Sequence, residues 1–291
     1  MSDSLPGEFD AALYRSLYSD LCHFEENDLR QHYEIHGRGE GRTATIAVPR
    51  DRFLQLVPRG VSILEIGPFN QPVVFGNNVK YFDLFDCNQL IERAREIGLE
   101  FDKVPHVDYV QPFGDLSIVG ERFDAVISSH LLEHQPDLIR HLQQVERLFD
   151  GAGLYFLVVP DKRYCFDHFI PESSIADVLD AHSVGRTVHN MASAIEHWAL
   201  TTHNDPQRHW EGDHGKRPND ISRVEQAVHQ FKSLAGGYID VHAWQFTPSS
   251  FRSILEGLNR LRQTSLYPIR VYDTPYGWNE FYAVLQKQVD G

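Results

Sequence analysis

Cysteine is scarce in this sequence and positive charge is in deficit. Its 291 residues include three cysteines, Cys22, Cys87 and Cys165, and no two of them form a Cys-x-x-Cys pair. A disulfide framework or a cysteine-ligated zinc site is therefore not expected. Lysine and arginine number 27 against 41 aspartates and glutamates, which gives a formal net charge of −14. Such a chain repels phosphate backbones and anionic membrane surfaces, so no nucleic-acid partner is expected.

Long apolar runs are missing as well. None reaches the roughly 18 residues that a membrane-spanning helix requires, and the opening MSDSLPGEFD lacks the basic and apolar regions of a secretory signal. The sequence therefore predicts a cytoplasmic protein without a membrane span. Apolar residues make up 42% of the chain, which suffices for the core of a sizeable α/β domain with an appendage.

Short apolar strands alternate with helical segments from residue 61 onward. Five strands in succession are predicted at 61–66, 79–82, 104–107, 123–128 and 154–159. A closing pair of strands is predicted at 270–272 and 281–285, after a helix at 247–261. This alternation is typical of an α/β fold, in which a mainly parallel sheet carries helices on both faces.

The pattern divides the chain into four parts. Residues 1–45 form a small helical module, in which Asp28 is expected to cap a second helix ending at Gly37. Residues 46–170 form the cofactor-binding α/β core. Residues 171–240 interrupt the alternation and are predicted to be a helical insertion that caps the sheet edge. Residues 241–291 complete the core.

An acidic residue and a single glycine end the first predicted strand. Glu65 lies within Ile63–Ile66, and Gly67 and Pro68 follow it. A dinucleotide cofactor requires a Gly-x-Gly-x-x-Gly turn whose N–H groups cradle pyrophosphate, whereas Pro68 removes one donor. S-adenosylmethionine (SAM) has no phosphate. We expect Glu65 to lie near its amino-acid end and Gly67 to leave room for it.

Two further acids are predicted at strand ends. Asp83 follows the second strand, where a carboxylate can accept both hydrogen bonds of a ribose diol. Asp108 follows the third predicted strand and is expected to meet the adenine amino group. Three acids after three successive strands, with a glycine turn at the first, favour a nucleoside-bearing cofactor.

The segments Glu65–Gly67, Asp83 and Phe123–His134 together resemble class I SAM-dependent methyltransferases. The resemblance implies a Rossmann-like fold, SAM as the cofactor, and cofactor contacts from Ser129 and His130 after the fourth strand. Many members of that family carry two or three glycines in the first loop, whereas this chain has Gly-Pro-Phe-Asn-Gln-Pro.

Two other segments, 159–169 and 240–248, are similar to a bacterial subgroup associated with surface-polysaccharide synthesis. Residues 9–43 resemble a short helical module attached to glycan-related enzymes, which suggests a possible protein partner. The resemblance implies O-methylation of a sugar hydroxyl in a glycan or its precursor. A methyltransferase with another small-molecule acceptor and a non-catalytic scaffold in a glycan-synthesis complex remain open.

A hydroxyl acceptor needs a general base, and histidine suits that role near neutral pH. His134 is the first candidate because it follows the cofactor-facing strand. The other catalytic candidates are Asp161, His168 and His242. Aromatic walls for a sugar are expected from Tyr164, Phe166 and Trp244.

Histidine spacing could also indicate a metal. His130 and His134 lie four residues apart, a spacing that can bind zinc when a third ligand exists. The pair lies at a strand–helix junction, and the resemblance to class I methyltransferases accounts for it without a metal, so no metal is expected. His203, His209 and His214 lie in a polar segment and are predicted to be solvated.

Overall fold

A computed structural model describes residues 4–234, 236–237 and 239–289 of the protein. Its centre is a seven-stranded sheet in the order β3-β2-β1-β4-β5-β7-β6. Strands β1 to β5 are parallel to one another, and β7 is antiparallel to both β5 and β6. The strands are β1 Ile63–Ile66, β2 Val79–Asp83, β3 Tyr109–Val110, β4 Ala125–Ser129, β5 Leu154–Pro160, β6 Leu266–Tyr272 and β7 Glu280–Lys287.

This strand order confirms the predicted Rossmann-like α/β fold. All residues of the two strands β1 and β5 are buried, as expected for strands covered on both faces. Two large apolar clusters cover the two faces of the sheet. The order reverses between β1 and β4, and a ligand crevice opens at such a point in an open α/β sheet.

The described ranges contain ten α-helices. Side-chain caps begin several of them, including Asp86 before α4, Asp137 before α5 and Thr247 before α10. The helices are α1 Ala11–Leu17, α2 Glu26–His32, α3 Arg50–Leu54, α4 Cys87–Glu96, α5 Leu138–Glu146, α6 Ile175–Ser183, α7 Met191–Ala199, α8 Pro206–Trp210, α9 Ile221–Ser233 and α10 Pro248–Arg260. No helix among the described residues combines the length and apolarity needed to cross a membrane.

Two sequence predictions are wrong in detail. The third strand is not at 104–107 but at Tyr109–Val110, where Phe82 pairs with Tyr109. Pro105 lacks an N–H donor, which disfavours pairing in the predicted stretch. Asp28 does not cap α2; the N-cap position is Glu25, and Asp28 lies in the first turn.

The N-terminal part has an apolar cluster of its own. Tyr14, Leu21, Leu29 and Tyr33 are buried together there. Residues 1–3 of the predicted module lie outside the described residues, as do 290 and 291 at the other end of the chain. The module is tied to the core as well, because Tyr33 Oη donates to Asp273 at 2.9 Å.

Residues 5–8 lie along the edge strand β6 rather than within that cluster. Leu5 is buried in one of the two main clusters. The carbonyl of Pro6 accepts from Tyr272 Oη at 2.9 Å, and Glu8 Oε1 accepts from the Val271 N–H at 2.7 Å. This segment therefore covers an edge that would otherwise expose unpaired backbone groups.

The predicted insertion at 171–240 is helical, although positions 235 and 238 lie outside the described residues. Its first helix, α6, contributes Val178 and Ala181 to a main core cluster. Helices α7 and α9 pack mainly on each other. The insertion thus begins as part of the sheet's helical layer and continues as a separate helical pair.

We predict that Glu8→Ala lowers the free energy of unfolding by about 1–3 kcal/mol, because the buried Val271 N–H loses its acceptor. Glu8 also contacts Arg252, so a charge pair is lost. Glu8→Gln, which keeps an acceptor oxygen, should cost less. Urea denaturation measures both, and an Ala variant as stable as the parent would show that residues 5–8 do not stabilise β6.

Candidate active site

A cavity of about 370 Å³ opens at the carboxyl ends of β1, β2 and β4. It is lined by residues from these strand ends, from α4, from the loop after β3 and from the insertion. Its lining includes Gly67, Asp83, Phe85, Arg93, Phe113, His130, Leu131, His134, His189 and Asp240. The volume lies in the range of small-molecule sites, and the position is the topological switch point of the sheet.

The first loop turns sharply at Gly67. Its φ of +69° suits glycine, and a Cβ there would lie 2.5 Å from Leu131 Cδ1. The glycine therefore allows the loop to lie close to the β4 loop at the cavity wall. Pro68 follows in the same turn but is not among the lining residues.

Glu65 supports this loop instead of lining the cavity. Its buried carboxylate accepts from the N–H groups of Val73 at 2.8 Å and Val74 at 3.1 Å. Burial raises the pKa of Glu65 to about 7, against the opposing effect of these two hydrogen bonds. The side chain thus fixes the path of the first loop from behind.

Asp83 lies at the cavity wall, as expected. Its carboxylate accepts from the N–H groups of Leu84 at 2.7 Å and Phe69 at 3.3 Å, and burial raises its pKa. A carboxylate offers about four acceptor sites, so capacity remains for a ligand hydroxyl.

Asp108 does not line the cavity beside Asp83. It precedes β3 instead of following it, and its exposed carboxylate accepts from the Tyr81 N–H at 2.9 Å. The predicted position depended on the strand at 104–107. The loop that does reach the cavity after β3 contains Pro112, Phe113 and Gly114.

Several side chains of the cavity were missed by the sequence analysis, among them Phe85, Arg93 and Phe113. The Phe113 side chain is 84% exposed, which is unusual for a large apolar residue. Arg93 lies over the Phe85 ring at 5.5 Å and pairs with Asp240 at 2.5 Å. Phe113 could have been found from the correct bounds of β3.

The end of β4 positions two predicted residues. His130 lines the cavity with a φ of +49°, and its Nε2 lies 2.7 Å from Glu280 Oε2. Ser129 is not among the lining residues; its hydroxyl accepts from Arg50, which also pairs with Glu280 at 3.0 Å. Ser129 therefore belongs to the network behind His130.

His134 lines the cavity at the end of a short 3-10 helix, Leu132–His134. Its Nδ1 lies 3.1 Å from Asp240 Oδ1. Burial lowers the pKa of His134, but the contact with Asp240 and the charges of Glu133 and Asp167 outweigh it, so the net pKa is raised. An imidazole with a carboxylate on one nitrogen has its other nitrogen available as a base.

His242 lies directly behind His134, with ring centroids 4.6 Å apart. It is buried, and its Nδ1 lies 2.6 Å from Asp167 Oδ2. Burial lowers the pKa of His242 to about 3, and burial raises that of Asp167 to about 7. His242 is not among the lining residues, so it packs against His134 from behind without facing the cavity.

Asp161 and His168 lie away from the cavity. The Asp161 carboxylate is fully buried and accepts from Arg163, with a shortest distance of 2.6 Å, and from Thr274 at 2.7 Å. The His168 Nδ1 lies 2.7 Å from the Arg163 carbonyl. Neither residue is positioned to contact a ligand there.

The expected aromatic walls and solvated histidines are also placed differently. Tyr164 stacks on Trp210 at 3.7 Å, and neither Phe166 nor Trp244 is among the lining residues. His209 is 2% exposed, so the prediction of a solvated histidine is wrong there. The rings of His168, His203, His209 and His214 stack on one another.

No protein-family profile matches the sequence, and no curated protein matches it. Among solved structures, the CurJ carbon methyltransferase is similar at 12% identity and a TM-score of 0.37, covering 82% of this chain. The chain spans 52% of that protein, about half its length.

Two other solved structures are similar over more of their length. The 1,6-didemethyltoxoflavin-N1-methyltransferase of Burkholderia thailandensis shares 13% identity, with 96% of this chain and 89% of that chain covered and a TM-score of 0.40. A Rhodobacter sphaeroides protein assigned to the zinc-dependent alcohol dehydrogenases shares 14% identity, with coverages of 84% and 92% and a TM-score of 0.42. At these values the likenesses assign no function to this chain.

We predict that Gly67→Ala destabilises the protein more than Gly60→Ala. Both positions have positive φ, which costs an alanine about 1–2 kcal/mol, but a Cβ at Gly60 meets nothing within 4 Å. At Gly67 it also displaces Leu131. Urea denaturation compares the free energies of unfolding of the two variants. Equal losses would mean that the loops after β1 and β4 can move apart without cost.

Proposed function

We propose that the protein is a SAM-dependent methyltransferase that methylates a hydroxyl group of a small molecule. The observation that carries the proposal is the cavity itself. It combines a glycine turn, a strand-end carboxylate and an imidazole–carboxylate pair at the switch point of a Rossmann-like sheet. The sequence resemblance supports the same activity.

The cavity residues fit the parts of SAM. The turn at Gly67 leaves space that a Cβ would fill, and Asp83 has acceptor capacity for the ribose diol. Phe85 and Phe113 offer apolar surface for an adenine ring. Arg93 can pair with a carboxylate, and Asp240 can attract a cation.

SAM supplies an electrophilic methyl group on a sulfonium. The chain must align the acceptor oxygen with that methyl carbon and remove the hydroxyl proton as the new bond forms. We assign the proton to His134 Nε2, because Asp240 faces Nδ1 of the same ring. Asp240 thereby stabilises the imidazolium that forms, as a positioning residue.

The acceptor site faces the insertion. Thr187, Val188 and His189 line the cavity from the segment between α6 and α7, and Ile239 and Asp240 line it from the end of the insertion. This placement supports the idea that residues 171–240 cap the acceptor. A sugar hydroxyl of a bacterial glycan or its precursor is the first acceptor to test, and another small alcohol or phenol fits the cavity equally well.

Two rival functions have clear tests. A nucleotide-dependent oxidoreductase would need a pyrophosphate cradle, and Gly67 followed by Pro68 offers a poor one. A non-catalytic scaffold, with residues 9–43 as its partner surface, would need no SAM at all. Calorimetry with SAM and with NAD separates all three functions.

We predict that Asp83→Ala weakens SAM binding at least about tenfold, because a charge-assisted pair of hydrogen bonds worth roughly 1.5 kcal/mol is lost. Asp108→Ala is the matched control and should bind SAM like the parent, since Asp108 lies outside the cavity. Isothermal calorimetry measures both. An unchanged affinity in the Asp83 variant would refute the placement of the ribose.

We predict that His134→Ala reduces turnover by about 100-fold or more and leaves SAM affinity nearly unchanged. The assay uses labelled SAM with nucleotide sugars, glycans and small phenols as acceptors. His168→Ala is the control and should keep full turnover, because its ring lies outside the cavity. Full turnover in the His134 variant would overturn this assignment of the base.

A further inference from the structure

Glu133 is a buried carboxylate without hydrogen-bond donors. Its exposure is 0%, and neither carboxylate oxygen has a hydrogen-bond partner among the described residues. Its backbone is well anchored, because its carbonyl accepts from the N–H of Ala243 at 2.7 Å. A buried carboxylate in this state is strongly unfavourable unless a cation accompanies it.

Three imidazole nitrogens face one oxygen of this carboxylate. Glu133 Oε1 lies 3.7 Å from His130 Nδ1, 3.9 Å from His134 Nε2 and 3.9 Å from His242 Nε2. These distances are too long for hydrogen bonds. They suit a shared metal ion, since bonds of about 2.0–2.2 Å hold neighbouring ligand atoms roughly 3–4 Å apart.

A further carboxylate lies beside the other nitrogen of each of two rings. His242 Nδ1 is hydrogen-bonded to Asp167 at 2.6 Å, whereas His134 Nδ1 lies 3.1 Å from Asp240 as a charge contact without hydrogen-bond geometry. Metal-binding histidines almost always donate their other N–H to a carboxylate or carbonyl, as the His242 ring can, which leaves the lone pair of the remaining nitrogen free for the ion. Both free nitrogens are the ones that face Glu133.

We propose that Glu133, His134 and His242 form a binding site for one divalent transition-metal ion at the cavity floor. Their ligand atoms lie within 4.8 Å of one another, and the two rings stand at 89° instead of stacking. Two imidazoles and one carboxylate are a ligand set of catalytic zinc, with a fourth position left open. His134 also lines the cavity, which would give a ligand there access to the bound ion.

The sequence expectation of no metal missed the third ligand because His242 is distant along the chain. Its approach depends on the docking of residues 242–244 against the backbone of Glu133, where Ala243 and Trp244 both donate to the carbonyl. His130 approaches the same carboxylate but pairs with Glu280 through its other nitrogen, so it belongs to the rim of the site.

A catalytic role for this metal site depends on the methyltransferase function proposed above. A nitrogen that holds a metal cannot accept a proton, so a bound ion would take over the role assigned to His134 Nε2. The ion would act as a Lewis acid on the acceptor hydroxyl and lower the pKa of that hydroxyl. The hydroxyl proton would then pass to solvent as the oxygen–methyl bond formed and the methyl–sulfur bond broke.

A second histidine group provides the control. His168, His209 and His214 also bring three nitrogens close together. The rings of His168 and His214 stack at 3.7 Å with an angle of 11° between their planes, so their in-plane lone pairs do not converge on one point. This group should not hold a metal.

The experiment titrates zinc chloride into the chelator-stripped full-length protein, by calorimetry and by thermal melting. We expect about one zinc per chain and a rise in melting temperature. Asp167→Asn should weaken zinc binding about 10- to 100-fold as a second-layer change, and Glu133→Gln and His242→Ala should weaken it further. His214→Ala should bind like the parent.

The melting temperature of each variant distinguishes a loss of zinc binding from a loss of folding. Glu133→Gln removes a buried carboxylate that has no hydrogen-bond donor, so this variant should melt higher than the stripped parent protein and should respond to zinc less than Asp167→Asn does. Zinc binding that survives Glu133→Gln and His242→Ala, or that disappears in His214→Ala, would overturn the proposal. So would the absence of stoichiometric binding to the parent.

Parallel SAM titrations in the presence of a chelator separate this proposal from the function above. If SAM binds and zinc does not, the metal site alone is wrong. If zinc binds and SAM does not, the methyltransferase assignment is wrong and the site serves other chemistry.

Discussion

The parallel pairing of β1 with both β2 and β4 is the constraint on which the rest of the structure depends. Ile66 is level with Phe82 on one side and with Ser128 on the other. All three strands therefore end at one edge, and the chain leaves them in different directions. The loops that begin at Gly67, Asp83 and His130 then surround one cavity. A shift of one residue in either register would move every side chain of the shifted strand to the opposite face of the sheet.

Asp240 connects this strand edge to the insertion. Its carboxylate lies 2.5 Å from Arg93 on α4 and 3.1 Å from His134 after β4. The two contacts lower the pKa of Asp240, and its negative charge in turn raises that of His134. Because a half-exposed ion pair is weak, this link can open without unfolding the core. The end of the insertion is thus joined to His134, the base proposed above, by a contact that a ligand can replace.

The sequence was sufficient for the elements and for part of the site. Strong apolar runs located β1, β2, β4 and β5 within a few residues. Gly67, Asp83 and His134, which were singled out near strand ends, line the cavity, and their roles stay predictions. The two-residue strand β3 is too short to give a periodic sequence signal. The third strand was therefore predicted at 104–107, a wrong position was predicted for Asp108, and Phe113 was not identified.

Other errors came from side-chain direction. Asp161 does follow β5, but Arg163 and Thr274 occupy its carboxylate. A strand end fixes where a backbone lies, whereas the direction of a side chain depends on partners that are distant in sequence. The stacking of His168 on His214 and the arrival of His242 beside Glu133 are both contacts of this kind.

The buried carboxylates around the sheet differ in which groups donate hydrogen bonds to them. This difference distinguishes carboxylates that stabilise the structure from those available for binding or catalysis. Backbone N–H groups satisfy Glu65 and Asp83, and Arg50, His130 and Tyr282 satisfy Glu280. Each of these carboxylates shapes a loop or holds a neighbouring side chain. Glu133 has no donor among the described residues, although the chain around it is well packed. A neutral residue of similar size would fill this space at lower cost, because a buried carboxylate without donors is expensive. The metal ion proposed above would supply the positive charge that the carboxylate and the two imidazole nitrogens beside it surround.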